Sequence, residues 1–349
     1  MKRVLPVAAL VILLAPALCA AWTALGQRPT AKPPARPSTS PNDRDQEPAD
    51  VPGTDDPIKL GAELVNVLFS AFDSNNRVVS DISQRDVTVL EDGRPQQIFT
   101  FRKEVNLPIN IALLVDLSGS QEYTFPQEKM AAAYFLHSII RGGKDSAALL
   151  SFQDDVDLVQ GLTSRMETIN RALDEMEYSR RFGPSTSRSQ ATALYDAVYI
   201  TVDEVLGREG PRSLADDAGL RRAIILLTDG VDNASNRKLQ EAIDRAWRSG
   251  VMIYSIGIGD RFRFEGVRED ILAKMAEETG GRAYFPRGSD DLMADFRQIE
   301  SELRSQYLVA YAPSSTSRDG AFHRIDVRLA GRPEVRVLHR RGYYAPTEK

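Results

Sequence analysis

Five oxygen-bearing side chains, scattered over more than a hundred residues, are of types that could share one hard cation. Asp116, Ser118 and Ser120 alternate within DLSGS, Thr192 stands in ATALYDA, and Asp229 stands in LLTDG. Carboxylate and hydroxyl oxygens suit Mg2+, Mn2+ or Ca2+ better than they suit softer metals. Hydroxyls alone hold a cation weakly, whereas four or five carboxylates would neutralise it. Two carboxylates with three neutral hydroxyls fall between, and an ion left with positive charge favours an incoming anionic oxygen. The chemistry expected is capture of a carboxylate from another molecule. A Ser- and Asp-rich junction can also simply cap the next helix, and Asp232 and Asn233 are read as caps of that kind.

Such residues meet only if a fold brings them to one edge. INIALLVD and RRAIILLTDG are apolar runs that end in Asp116 and Asp229, as expected of strands covered on both faces. Between and after them, strand-like segments (DSAALLSFQ, VMIYSIGIG, RAYFP) alternate with helical ones (QEKMAAAYFLHSII, METINRALDEM, ATALYDAVYITVDEVL, LQEAIDRAWRSG, EDILAKMAEETGG, DDLMADFRQIESEL). That alternation predicts an α/β fold, a doubly wound, mostly parallel sheet with helices on both sides. In such sheets, ligands sit beyond the carboxyl ends of the strands where strand order reverses. All five candidates fall at strand ends or helix starts.

On either side of this region the pattern changes to period-two alternation. LVNVLFSAFD, DVTVLEDG and QQIFTFRKEV precede it, with turn signals at Ser74-Asn75-Asn76 and Asp92-Gly93; QYLVAYAP, HRIDVRLA and VRVLHRRGYY follow. Each block reads as about three strands, too few to stand alone. Together they predict a small β-sandwich into which the doubly wound sheet is inserted. The expected boundaries are 58–106 and 306–349 for the two parts of the sandwich and 107–305 for the inserted domain. The last helix, 289–304, runs directly into the strand at 306–312, so a shift there would reach the sandwich.

Residues 1–26 carry Lys2 and Arg3, then a long apolar run, then small residues at Ala24 and Gly26. This order fits a secretory signal. Its length also allows an uncleaved membrane anchor, and Cys19, the one cysteine of the chain, allows lipidation. Each alternative places the remainder outside the cytoplasm, with membrane contact only through this segment. Residues 27–57 hold eight of the 19 prolines and no apolar periodicity, the composition of a disordered spacer.

Composition excludes several classes of function. A net charge of −5 and no long Lys/Arg run argue against a nucleic-acid partner. With Cys19 confined to the N-terminal segment, Cys-based metal sites and nucleophiles are not expected downstream, and His137, His323 and His339 lack metal-ligand spacing. There is no G-x-S-x-G elbow and no H-E-x-x-H. RGGKDS around Lys144 lacks the first glycine of a phosphate loop, and IGIGDRF lacks the third glycine of a dinucleotide loop. The expectation is a protein without catalytic activity. Two alternatives stay open: a structural or assembly protein in which the metal only stabilises, and a metal-assisted phosphatase, which the serine at position 118 disfavours.

DLSGS at 116–120, Thr192 in ATALYDA and Asp229 in LLTDGVDN resemble the metal-ion-dependent adhesion site of von Willebrand factor A and integrin I domains. The resemblance covers roughly residues 107–305 and extends to secreted bacterial VWFA-related proteins with similar β flanks. It implies a Rossmann-like fold, a bound Mg2+ (or Mn2+ or Ca2+) and a protein ligand. It implies also that Ser118 and Ser120 contact the ion directly, with Thr192 and Asp229 binding directly or through water. Residues 189–192 read SQAT where bacterial relatives often place two glycines before the threonine.

Overall fold

The structure is a computed structural model and describes residues 64–104, 106–121, 123–176, 191–207, 220–259, 266–313 and 318–347. The expected leader or anchor (1–26), the spacer (27–57) and the two residues before Ala191 lie outside the described residues. Of Ser120 the backbone alone is described.

The central sheet has six strands: β5 (Ile109–Asp116), β6 (Ser146–Phe152), β7 (Val156–Thr163), β8 (Arg221–Thr228), β9 (Val251–Gly257) and β10 (Ala283–Tyr284). Their order is β10-β9-β8-β5-β6-β7. All neighbours run parallel except β7, which pairs antiparallel with β6. β5, β6 and β8 are apolar and buried through their middles (111–115, 147–150 and 223–227), as expected of strands covered on both faces. From β5 the chain moves to one side through β6 and then returns to the other side at β8. The carboxyl end of β5 is therefore the switch point of the sheet.

Among the described residues, six α-helices cover the sheet. α1 (Phe125–Ile139), α2 (Met166–Glu175) and α6 (Ser289–Arg304) bury one face with Ile111, Leu113 and Val115 of β5. α3 (Leu194–Ile200), α4 (Leu239–Ser249) and α5 (Glu269–Thr279) bury the other with Ala112 and Leu114. The helix expected to run through ATALYDAVYITVDEVL divides, becoming a π-helical segment over Thr201–Leu206. The Thr201 hydroxyl donates back to the Ala197 carbonyl at 2.7 Å at that junction, where β-branched residues crowd the helix.

Each flanking block forms four strands, one more than the alternation suggested. The first has β1 (Val65–Phe72), β2 (Val87–Glu91), β3 (Arg94–Gln96) and β4 (Ile98–Glu104). The second has β11 (Gln306–Tyr311), β12 (Phe322–Leu329), β13 (Arg336–His339) and β14 (Gly342–Tyr344). β2 and β3 form a hairpin through Asp92 and Gly93, both at positive φ (50° and 79°), the geometry that matches a two-residue turn to strand twist. The blocks do not each supply a sheet. They interleave, as β13-β1-β11-β4 and as β14-β12-β2-β3. Val67, Phe69, Tyr307 and Tyr311 of the first sheet close on Val89, Ile325, Val327 and Tyr343 of the second, giving the sandwich its own core. Inside it, Glu91 accepts hydrogen bonds from Tyr311 at 2.8 Å and Tyr343 at 2.9 Å.

Candidate metal centre

From Ile111 to Val115 β5 is apolar, and it ends in Asp116, which is fully buried. Its Oδ1 accepts the Ser118 backbone N–H at 2.8 Å, closing the loop that follows. Its Oδ2 accepts the Thr228 hydroxyl at 2.6 Å. Thr228 ends β8, so this bond ties two adjacent parallel strands at their carboxyl ends. Asp229 follows immediately, also buried, and its Oδ1 accepts the Val231 N–H at 3.0 Å. Burial, reinforced by the charge of Asp229, pushes Asp116 up to about 7, although hydrogen bonds from Thr228 and Ser118 favour the ionised form.

Thr192 is held just before α3. Its N–H donates to Asn233 Oδ1 at 2.7 Å, and its carbonyl accepts the N–H groups of Asn233 and Ala234 at 3.0 and 3.2 Å. The next residue, Ala193, donates its N–H to the Gln153 carbonyl at 2.6 Å, while Gln153 Nε2 donates to the Leu117 carbonyl at 2.7 Å. The Thr192 loop is thus stitched to the Asp229 loop on one side and to the Asp116 loop on the other. Ser120 lies in the turn Gly119–Gln121, and its side chain is outside the described residues. Gln121 pins that turn, its Nε2 donating to the Ile258 carbonyl beyond β9 at 3.1 Å. Asp232 accepts the Ser235 hydroxyl at 2.5 Å and the Tyr195 N–H at 3.3 Å, and so caps α3.

The structure therefore brings Asp116, Ser118 and Asp229 together and fastens Thr192 to both of their loops. Sequence reasoning did not single out Thr228, Gln153, Gln121 or the buried Glu128 of α1. Among the described residues no three His, Cys, Asp or Glu side chains form a metal-binding group. An ion here would rest on two carboxylates and neighbouring hydroxyls, a donor set suited to a hard divalent cation. Two acids sharing a buried corner repel each other, and a cation between them offsets that repulsion. The residues fit the ion. The RGGKDS loop has a different use: Asp145 accepts from the Ile109 N–H at 2.9 Å, Arg141 at 2.8 Å and Arg304 at 2.6 Å, a clamp that joins the loop after α1 to β5 and α6.

A sequence profile of the von Willebrand factor type A domain matches residues 110–298. An uncharacterised protein of Borreliella burgdorferi is 30% identical over 160 residues, covering 44% of this chain and 42% of that relative, so the match spans less than half of its length. Among solved structures, BatB from Bacteroides thetaiotaomicron aligns at 17% identity over 56% of this chain and 100% of its own, with a TM-score of 0.41. An aerotolerance-related membrane protein from Bacteroides fragilis aligns at 16% identity over 55% of this chain and 98% of its own, with a TM-score of 0.42. Proximal thread matrix protein 1 from the mussel byssus, in a form with a zinc-occupied MIDAS motif, aligns at 19% identity over 61% of this chain and 49% of its own, with a TM-score of 0.45. Because the profile spans more than half of the 349 residues, the chain belongs to the von Willebrand factor type A domain family, whose modules typically mediate metal-dependent protein binding and are usually not catalytic.

Proposed function

We propose that this protein is an exported adhesion or assembly module that binds an Asp or Glu carboxylate of a protein partner through a Mg2+ held by Asp116, Ser118, Ser120, Thr192 and Asp229. The carrying observation is the juxtaposition of two buried carboxylates, Asp116 and Asp229, with Ser118 at the switch point of a family sheet. When bound, the ion supplies a positive charge and an open position for an incoming carboxylate. The protein's part is orientation. Thr228 and the Ser118 N–H fix both oxygens of Asp116, and the Gln153 and Asn233 bonds fix the loop of Thr192. The domain at 107–305 carries the site, the sandwich of 58–106 and 306–349 braces it, and residues 1–57 act as leader or anchor and spacer outside the cytoplasm.

Ligand binding to the native state raises stability by RT ln(1 + [L]/Kd), about 2.7 kcal/mol at a hundredfold excess over Kd. Mg2+ is expected to raise the thermal midpoint of the wild type and to leave Asp116→Ala unmoved. A partner retained from the extracytoplasmic fraction in Mg2+ should be released by EDTA and missed by the variant. Equal Mg2+ stabilisation of both proteins would count against the site, and EDTA-insensitive retention against the carboxylate bridge.

A further inference from the structure

α1 buries a stripe made of Phe125, Glu128, Ala131, Ala132, Phe135, Leu136 and Ile139. Every member is apolar except Glu128, which is 1% exposed. A carboxylate on the core face of a helix is costly unless something compensates it. The Thr124 hydroxyl lies near enough to favour its ionised form, yet that hydroxyl's own bonds run to the carbonyl and amide oxygens of Gln121, both at 3.2 Å. Neither Glu128 oxygen has a hydrogen-bond partner among the described residues. A structural pin would show one, as Glu91 does with its two tyrosines.

The start of α1 is tied to the Asp116 loop: the Gln121 N–H donates to the Ser118 carbonyl at 2.9 Å, the Thr124 N–H to the Gln121 carbonyl at 3.1 Å, and the Glu128 N–H to the Thr124 carbonyl at 3.1 Å, so Glu128 lies three hydrogen-bonded steps beyond Ser118. Burial, with the charges of Asp116 and Asp229 added, pushes it up to about 8. Three acids thus share one buried neighbourhood, although no three of them form a direct metal-binding group. Glu128 is placed to act one layer out from the ion. Mg2+ gives up its waters reluctantly, so an acid at that remove is suited to accept hydrogen bonds from ion-bound water.

Resting on the cation reading above, we propose that Glu128 is the outer carboxylate of the centre, which holds the ion's water from the α1 side and contributes a third negative charge to its retention. Neighbours of this kind typically change metal affinity about 10–100-fold. Coulomb attraction also scales with the charge of the ion, so losing the acid should weaken a trivalent ion more than a divalent one. A role in packing alone would not produce that ordering.

The test uses the full chain, titrated with MnCl2 by calorimetry and with TbCl3 by luminescence, in wild type, Asp116→Ala and Glu128→Gln. The Gln variant should unfold, metal-free, at or above the wild-type midpoint, because an uncompensated buried acid is gone. Its Mn2+ affinity should fall about tenfold or more, and its Tb3+ affinity should fall further. If Gln disturbs the fold, Glu128→Met, which continues the apolar stripe, provides the same comparison. Wild-type affinities in the Glu128 variants, with binding lost in Asp116→Ala, would overturn the assignment and leave the cation reading intact. A wild type that binds neither ion overturns both.

Discussion

Asp116 shows how much of a site can depend on one hydroxyl. Its Oδ2 accepts the Thr228 hydroxyl at 2.6 Å, and both residues are fully buried. Thr228→Val keeps the shape of the strand end and removes the donor. A lost hydrogen bond to a charged group costs about 1.5–3 kcal/mol, so metal-free stability in chemical denaturation should drop by that order. Mg2+ affinity should drop about tenfold, because the carboxylate is no longer oriented. An unchanged titration would show that Asp116 needs no such support. Asp116 and Asp229 could be singled out as candidates because each stands where an apolar run stops. Thr228 was hidden beside Asp229, its role being a contact between strands that are far apart in the chain. Glu128 did leave a trace. It falls three residues after Phe125 and seven before Phe135, on the helical spacing of a buried face where an acid is out of place.

At the scale of elements, the strands and helices of the central sheet could be read because buried parallel strands are unbroken apolar runs, and the helices between them keep their period. The pieces that escaped were short. β3 and β14 have three residues each, too few for alternation to show. VRVLHRRGYY reads as one strand but serves two sheets, with Arg340 and Arg341 spanning the gap between β13 and β14. That crossing passes against the end of α5. Gly280 closes α5 at φ +88°, and a Cβ there would stand 2.6 Å from the Arg340 nitrogen and 2.8 Å from the His339 carbonyl carbon. Gly280→Ala meets both a left-handed backbone and an unyielding main chain. It should cost roughly 2–4 kcal/mol, more than the usual penalty at a helix end, as read in urea denaturation. A loss near 1 kcal/mol would mean that the crossing can move aside.

Across the whole unit, the two sheets of the sandwich are joined by His339. It lies on β13 of one sheet, and its Nε2 accepts the Val327 N–H of β12 in the other at 3.2 Å, while Nδ1 bonds to the Arg340 carbonyl at 2.8 Å. Only the neutral ring can accept at Nε2. Burial lowers its pKa from 6.5 to about 4. Between those values the unfolded chain takes up the proton and the folded one does not, so stability is complete above 6.5 and is lost as pH falls toward 4. The loss should approach about 3 kcal/mol and should vanish in His339→Gln when denaturation is followed over that range. Parallel slopes in the two proteins would remove His339 from the account. The sandwich itself was foreseen from the two alternating blocks, but its interleaving was not. Periodicity tells which face of a strand is buried and says nothing about which strand lies beside it.

That interleaving has a consequence for biosynthesis. β1 lies between β11 and β13, and β2 pairs with β12, so every central pairing of the sandwich joins an early segment to a late one. While the polypeptide is still emerging, the first four strands have only the β2–β3 hairpin among themselves, and the inserted sheet can form before the sandwich does. A product cut short before β11 would therefore leave apolar strands uncovered, a mark by which proteases can tell unfinished molecules from finished ones.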